Sequence, residues 1–214
     1  LENIDILLKI KRNNGKMVKV LFHSPVLNFY QKALDSWLNL DLEGIVLDYY
    51  FTKFDPFNPN PDWLKNIAFK MTKAKEIALA GNYDYLFNVD ADIILPKDAL
   101  KRLLSHKLDI VSGLYRLQMA HEGTEDYAIK IKDKDGKWKV PELGKDFNFG
   151  DLIKICFCPF GCLLISTKIL KKYNLKLTTD GEFTHQCNTF KISMYCDTGV
   201  KCQHIALDNK ILIP

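Results

Sequence analysis

Four short apolar runs, each followed by a segment of helical period, constrain this chain more than anything else in it. They are VKVLFH at 18–23, IVL at 45–47, YLFNV at 85–89 and DIVSG at 109–113. Runs that are apolar on both faces need cover on both faces, and amphipathic helices between them supply it. Tyr30, Ala33, Leu34, Trp37 and Leu38 keep helical spacing after the first run. After the second, Trp63, Ile67, Met71, Ala74 and Ala78 line one face of a long helix, with Asn60 as its cap, Pro61 at its first position and Gly81 at its close. Pro96 opens a shorter helix through Leu103 and Leu104. The βαβαβαβ rhythm predicts an α/β fold with a mostly parallel, mixed sheet flanked by helices.

From residue 116 the pattern changes. Segments 128–132 and 137–140 flank Asp133-Lys134-Asp135-Gly136, a hairpin signal with a tight Asp-Gly turn. Strands are expected at 153–157, 162–166, 193–197 and 200–206, with a helix at 167–173. The 214 residues then make a single domain, about 17–115 forming a nucleotide-fold-like half and 116–214 a smaller, mixed, β-rich half. Hydrophobic residues at 47% and charged residues at 26% are those of a soluble globular protein. The net charge of +4 comes almost wholly from lysine; it suits an anionic small molecule and is too weak to argue for nucleic acid. No apolar stretch approaches the length of a membrane span and no signal peptide is read, so a cytoplasmic location is the expectation.

The six cysteines lack the paired C-x2-C spacing of a metal clip, so they are expected as small buried hydrophobes; structural zinc and a disulfide are the alternatives.

The third run ends in Asp90-Ala91-Asp92. Two carboxylates in three residues at a buried strand tip repel each other unless positive charge sits between them. A divalent cation carrying a phosphate group answers that need, and strand tips of open α/β sheets are where ligands bind. The competing reading is helix capping, by Asp92 or Asp98, for the helix after Pro96.

With Asp109-Ile110-Val111-Ser112-Gly113-Leu114-Tyr115 after it, the segment 83–92 resembles the GT-A-fold glycosyltransferases, metal-dependent enzymes that use nucleotide sugars. So do Phe160-Gly161-Cys162-Leu163-Leu164-Ile165, Asp180-Gly181-Glu182-Phe183 and the late run ending in His204. The resemblance runs from about Val18 to Ala206 and is of the small viral or bacterial type. It implies a GT-A-like domain whose first half binds the nucleotide sugar and whose second half faces the acceptor. It implies Mn2+ or Mg2+ as cofactor, bound by Asp92 and His204, with Asp90 on the metal, its water shell or the ribose. It places Ser24, Pro25, Val26 and Asp48 around base and ribose, and Lys73 near the nucleotide; a solvated lysine is the alternative for Lys73.

The resemblance further implies Asp180 as the general base of an inverting transfer. The family motif has an acid immediately before that Asp; here it is Thr179, so Glu182 competes for the role. The expected reaction moves a sugar from a UDP-sugar, rather than a GDP-sugar, to a hydroxyl of a glycan or glycoconjugate. The alternatives are nucleotidyl transfer onto a sugar phosphate, for which HSPVLN at 23–28 is a poor phosphate loop, and a non-catalytic sugar-nucleotide or glycan-binding module. The loops 52–61 and 117–124 are long enough to close over a donor. His23, His121 and His185 read as incidental.

Overall fold

The computed structural model describes residues 6–9, 17–26, 30–53, 63–118, 125–206 and 209–214. The chain runs β1 (Ile6–Lys9), β2 (Val18–Val26), α1 (Gln31–Leu38), β3 (Ile45–Lys53), α2 (Trp63–Ala80), β4 (Tyr85–Val89), β5 (Ile93–Ile94), α3 (Ala99–Ser105) and β6 (Ile110–Leu114). It continues through β7 (Arg116–Gln118), β8 (Glu125–Tyr127), β9 (Ile131–Lys132), β10 (Trp138–Lys139), β11 (Leu152–Ile155) and β12 (Cys162–Ser166). Then come α4 (Thr167–Lys172), α5 (Asp180–Thr189), β13 (Met194–Lys201), β14 (Gln203–Ile205) and β15 (Ile211–Leu212).

Eight strands form one sheet in the order β1-β3-β2-β4-β12-β6-β13-β11. The α/β class is as expected, but the sheet is not mostly parallel. β2 runs parallel to β3 and β4, and β6 to β13. The other four neighbour pairs, β1–β3, β4–β12, β12–β6 and β13–β11, are antiparallel. The physical reason is β12. Its residues Cys162 to Ile165 are all 0% exposed, so it needs neighbours on both edges and cover on both faces, and it takes the place between β4 and β6. Strands from both sequence halves therefore share one sheet.

Side chains alternate across this sheet with the period of two that strands impose. Phe22, Phe87, Val111 and Leu164 face a core with Trp37 of α1 and Leu100 and Leu103 of α3. Leu21, Leu86, Ile110, Leu163 and Ile165 face the other way, onto Met71 and Ala74 of α2 and Phe183 of α5. Burying such side chains contributes roughly 1.5–3 kcal/mol each, which is why the runs read as continuously apolar.

Helix α2 places Met71, Ala74 and Ala78 inward as its spacing predicts. At its end Tyr83 N–H reaches back to the Ala78 carbonyl at 3.1 Å, and Asn82, not Gly81, takes the left-handed conformation at φ 51°. The expected cap at Asn60 and Pro61, and most of the 52–61 and 117–124 loops, lie outside the described residues; Thr52 belongs to β3 and Leu117 to β7. All six cysteines are free and buried. No described helix is long and apolar enough to cross a membrane.

Candidate active site at the tip of the fourth strand

β4 delivers Asp90 to the edge of the sheet, where its amide donates to the Gly161 carbonyl at 3.1 Å. The Ile93 amide returns to the Asp90 carbonyl at 3.0 Å and closes a tight turn that presents both carboxylates. The late strand β14 then packs against this turn. His204 pairs with Ile93, and the Ile205 amide donates to the Asp92 carbonyl at 2.9 Å. That register brings His204 Nε2 to 3.4 Å from Asp92 Oδ2.

The imidazole is oriented from behind. Its Nδ1 lies 3.0 Å from the Arg116 carbonyl, which can only accept, so Nδ1 carries the hydrogen and Nε2 faces the acids. Burial pulls the His204 pKa down, but Asp92, the Arg116 carbonyl and Asp90 outweigh it and hold the pKa above its ordinary value.

Asp180 arrives from a third segment. Thr179, not Asp180, caps α5: its Oγ1 accepts from the Glu182 amide at 3.2 Å. Asp180 is half-buried with Oδ1 accepting from the Gly181 amide at 2.9 Å; burial raises its pKa, and its charge is felt at Asp90. Glu182 points elsewhere; it is exposed, and its carboxylate accepts from the Thr178 hydroxyl.

The electrostatic consequence falls on Asp90. The residue is partly exposed while its carboxylate lies below the surface, and its pKa is pushed up to about 7. Burial is the largest cause, followed by the charges of Asp92 and Asp180; His204 and a hydrogen bond from Asn88 oppose them. Neither Asp92 nor Asp98 makes a side-chain cap on α3, so capping does not account for the pair.

Two further groups frame the site. The buried Tyr115, directly after β6, accepts from the Gly161 amide at 3.1 Å and stands edge-on to His204 with ring centres 6.0 Å apart. A Cβ at Gly161 would fall 2.5 Å from the Tyr115 oxygen, so only glycine allows that approach. Burial, then the charge of Asp90, raises the Tyr115 pKa well above the ordinary value, so the phenol keeps its proton. Beneath Asp90, Asn88 donates to the Phe160 carbonyl at 2.7 Å and accepts from His23 Nδ1 at 2.7 Å; the Thr52 hydroxyl lies 3.1 Å from His23 Nε2. Desolvation lowers the His23 pKa to about 4, so this histidine is a neutral strut within the sheet.

The remaining expected residues divide. His23 is level with Asn88, so Ser24, Pro25 and Val26 lie at the same sheet edge as Asp90. Among the described residues, the buried Ser24 Oγ there has no hydrogen-bond partner. Asp48 is not at a strand end: β3 continues to Lys53, and Asp48 is 1% exposed in mid-strand with Oδ2 accepting from the Tyr83 hydroxyl at 2.7 Å. Lys73 is exposed and 3.7 Å from Glu76, away from the carboxylates; Lys70, one turn earlier, is the buried lysine of α2, and His23 feels its charge.

Tyr115 and Asn88 were missed by sequence reasoning. Asn88 stands two residues before Asp90, and Tyr115 closes the segment 109–115 that carries the family resemblance; those positions are the signal that could have found them.

Among the described residues, no group of three His, Cys, Asp or Glu stands close enough to form a ready metal cage. The donor chemistry nonetheless fits a small divalent cation: carboxylate oxygens from Asp92 and Asp90, and an imidazole nitrogen of His204 aimed by the bond from its other nitrogen to the Arg116 carbonyl. Mg2+ in particular keeps few protein ligands and fills its sphere with water and phosphate.

No family model and no curated protein matches this chain. Among solved structures, A197 from STIV, known from a crystal structure, matches with a TM-score of 0.61 at 18% identity, over 92% of this chain and 94% of its own. At that identity the likeness speaks for the fold alone. In all, 72 chains of known structure match, so the α/β arrangement is not peculiar to this sequence.

Proposed function

We propose that the chain is a metal-dependent GT-A-type glycosyltransferase. It would move a sugar from a nucleoside diphosphate sugar, a UDP-sugar in the first instance, to a hydroxyl of a glycan or glycoconjugate with inversion. The observation that carries this reading is convergence: the Asp90–Asp92 turn, Asp180 and His204 come from three distant segments, and the charges of Asp92, Asp180 and His204 all act on Asp90.

Asp92 and His204 Nε2 would hold Mn2+ or Mg2+, with Asp90 alongside; when bound, the ion would stabilise the negative charge gathering on the leaving diphosphate. Asp180 serves as general base, taking the proton of the acceptor hydroxyl. Its charge reaches Asp90, and its raised pKa makes it a stronger proton acceptor than an ordinary carboxylate. Glu182 is less suited, since it is exposed and engaged by Thr178. Tyr115 holds the Gly161 turn against the site, and Arg116 fixes the His204 tautomer through its carbonyl. The Ser24 hydroxyl, buried at the neighbouring strand tip, is the polar group best placed toward the base and ribose.

The test is a panel of nucleotide sugars incubated with Mn2+. Release of a nucleoside diphosphate that stops with EDTA, and that Asp92→Ala abolishes without lowering the Tm, is the expected result. Turnover that survives chelation defeats the metal role. Pyrophosphate released from a nucleoside triphosphate and a sugar phosphate would point to nucleotidyl transfer instead.

A further inference from the structure

A basic surface lies at the edge of the sheet opposite the carboxylates. Leu108 and Asp109 lead into β6, Lys168 follows β12 and Ser193 leads into β13, so all four stand at the far end of strands whose other ends neighbour Asp90. Five residues of β6 separate the two edges, about 17 Å. An open cavity of about 350 Å3 at this far edge is lined by Lys168, Lys172 and Lys191 against a single carboxylate, that of Asp109. A neighbouring groove of about 610 Å3 shares Lys191 and adds Lys132 and Lys154, with one carboxylate, Asp146, which Lys139 already pairs. Among the described residues, Lys168, Lys172 and Lys191 have no ion-pair partner.

An aromatic pair accompanies these charges. Phe190 is 46% exposed beside Lys191, and its ring centre lies 5.3 Å from that of Tyr173, which itself lines the cavity. The Lys172 ammonium sits 4.9 Å from the Tyr173 ring centre. A soluble phosphate ligand gives no reason to expose a phenylalanine. A nucleic acid would use an open ring face for stacking, and Tyr173 already occupies one face of Phe190. Ammonium groups on long flexible stems around an exposed ring are instead what a headgroup layer accommodates, with phosphates meeting the charges and the ring reaching the acyl boundary.

We propose that this edge docks the protein on an anionic membrane surface. The carboxylate edge then stays on the aqueous side, open to soluble substrates. The proposal does not rest on the catalytic reading.

Co-sedimentation with phosphatidylcholine vesicles, with and without 30% phosphatidylserine, tests it directly. The full chain is expected to bind only the anionic vesicles and to leave them in 0.5 M salt. Lys168→Gln/Lys172→Gln/Lys191→Gln should weaken partitioning by roughly a hundredfold, and Phe190→Ser by about tenfold. Lys32→Gln/Lys97→Gln/Lys134→Gln, an equal change of net charge elsewhere on the exposed surface, should leave binding intact. The proposal falls if the chain ignores anionic vesicles, if both triple variants lose binding equally, or if Phe190→Ser binds as well as wild type. It falls equally if a short single-stranded RNA outcompetes the vesicles at matched phosphate concentration. A Tm within a degree of wild type confirms that each variant is folded.

Discussion

Two sets of acids stand toward the same edge of the sheet in opposite surroundings. Asp197 of β13 is fully buried and saturated: Arg102 gives it two bonds at 2.7 and 3.0 Å, His106 one at 2.7 Å and the Gly199 amide one at 2.8 Å. Burial works to raise its pKa, but those donors win and hold it below the ordinary carboxylate value. Asp90 and Asp92 share one histidine, Asp180 adds a further negative charge, and the Asp90 pKa rises to about 7. A saturated carboxylate is explained by what it holds together, here α3 and β13. A cluster left short of positive charge holds a shifted pKa instead, and that marks it as the candidate site.

The sharpest way to break this comparison is a pair of variants. Asp92→Ala is expected to lower donor turnover by roughly a thousandfold or more while leaving stability within about 0.5 kcal/mol. Asp197→Ala should do the reverse, costing about 3 kcal/mol in urea unfolding because its removal orphans buried donors. If Asp92→Ala unfolds the protein and Asp197→Ala does not, the roles assigned to the two sets are wrong.

The pH dependence is the next largest effect. Below about pH 4 the Asp90 carboxyl is protonated in both folded and unfolded chains. As pH climbs toward 7 the unfolded chain gives up a proton that the folded one keeps, and stability falls by on the order of 4 kcal/mol. His23 acts in the opposite sense. Above pH 6.5 it is neutral in both states; as pH drops toward 4 only the unfolded chain takes up the proton, and stability falls by on the order of 3 kcal/mol. The two slopes offset each other in the wild type. Asp90→Asn should therefore be more stable than wild type at pH 8 and should lose that advantage on acidification to pH 4. An unchanged difference across that range would show that Asp90 carries no strain.

Smaller effects sharpen the picture further. Mn2+ should raise the Tm of the wild type, with roughly tenfold weaker affinity in His204→Gln and no change in His106→Gln, as read by titration calorimetry. Tyr115→Phe removes the acceptor for the Gly161 amide and should cost about 1 kcal/mol in urea unfolding.

Helices α1 and α2 and strands β2, β4, β6 and β12 are legible in the sequence because hydrophobic period is a local property. The length of β3 was not: Asp48 looks like a polar strand end, yet Tyr83, 35 residues later, supplies the bond that lets it lie inside the sheet. Nor was the position of β12, since alternation within a strand says nothing about which strands flank it. Lys73 and Lys70 are three residues apart on one helix, and only packing chose which of them would be buried. His106 carries no sequence pattern at all; its partner Asp197 is 91 residues away.

Sequence alone determined that apolar strands would alternate with amphipathic helices, and that two acids would stand where one of those strands ends. Tertiary structure alone decided that β14 would lay His204 against Asp92, that α5 would bring the charge of Asp180 to bear on Asp90, and that Glu182 would be left outside. The reason is physical. Burial of a strand is set by its own residues, whereas the meeting of charges from distant segments depends on sheet register, which is settled only when every strand has found its neighbours.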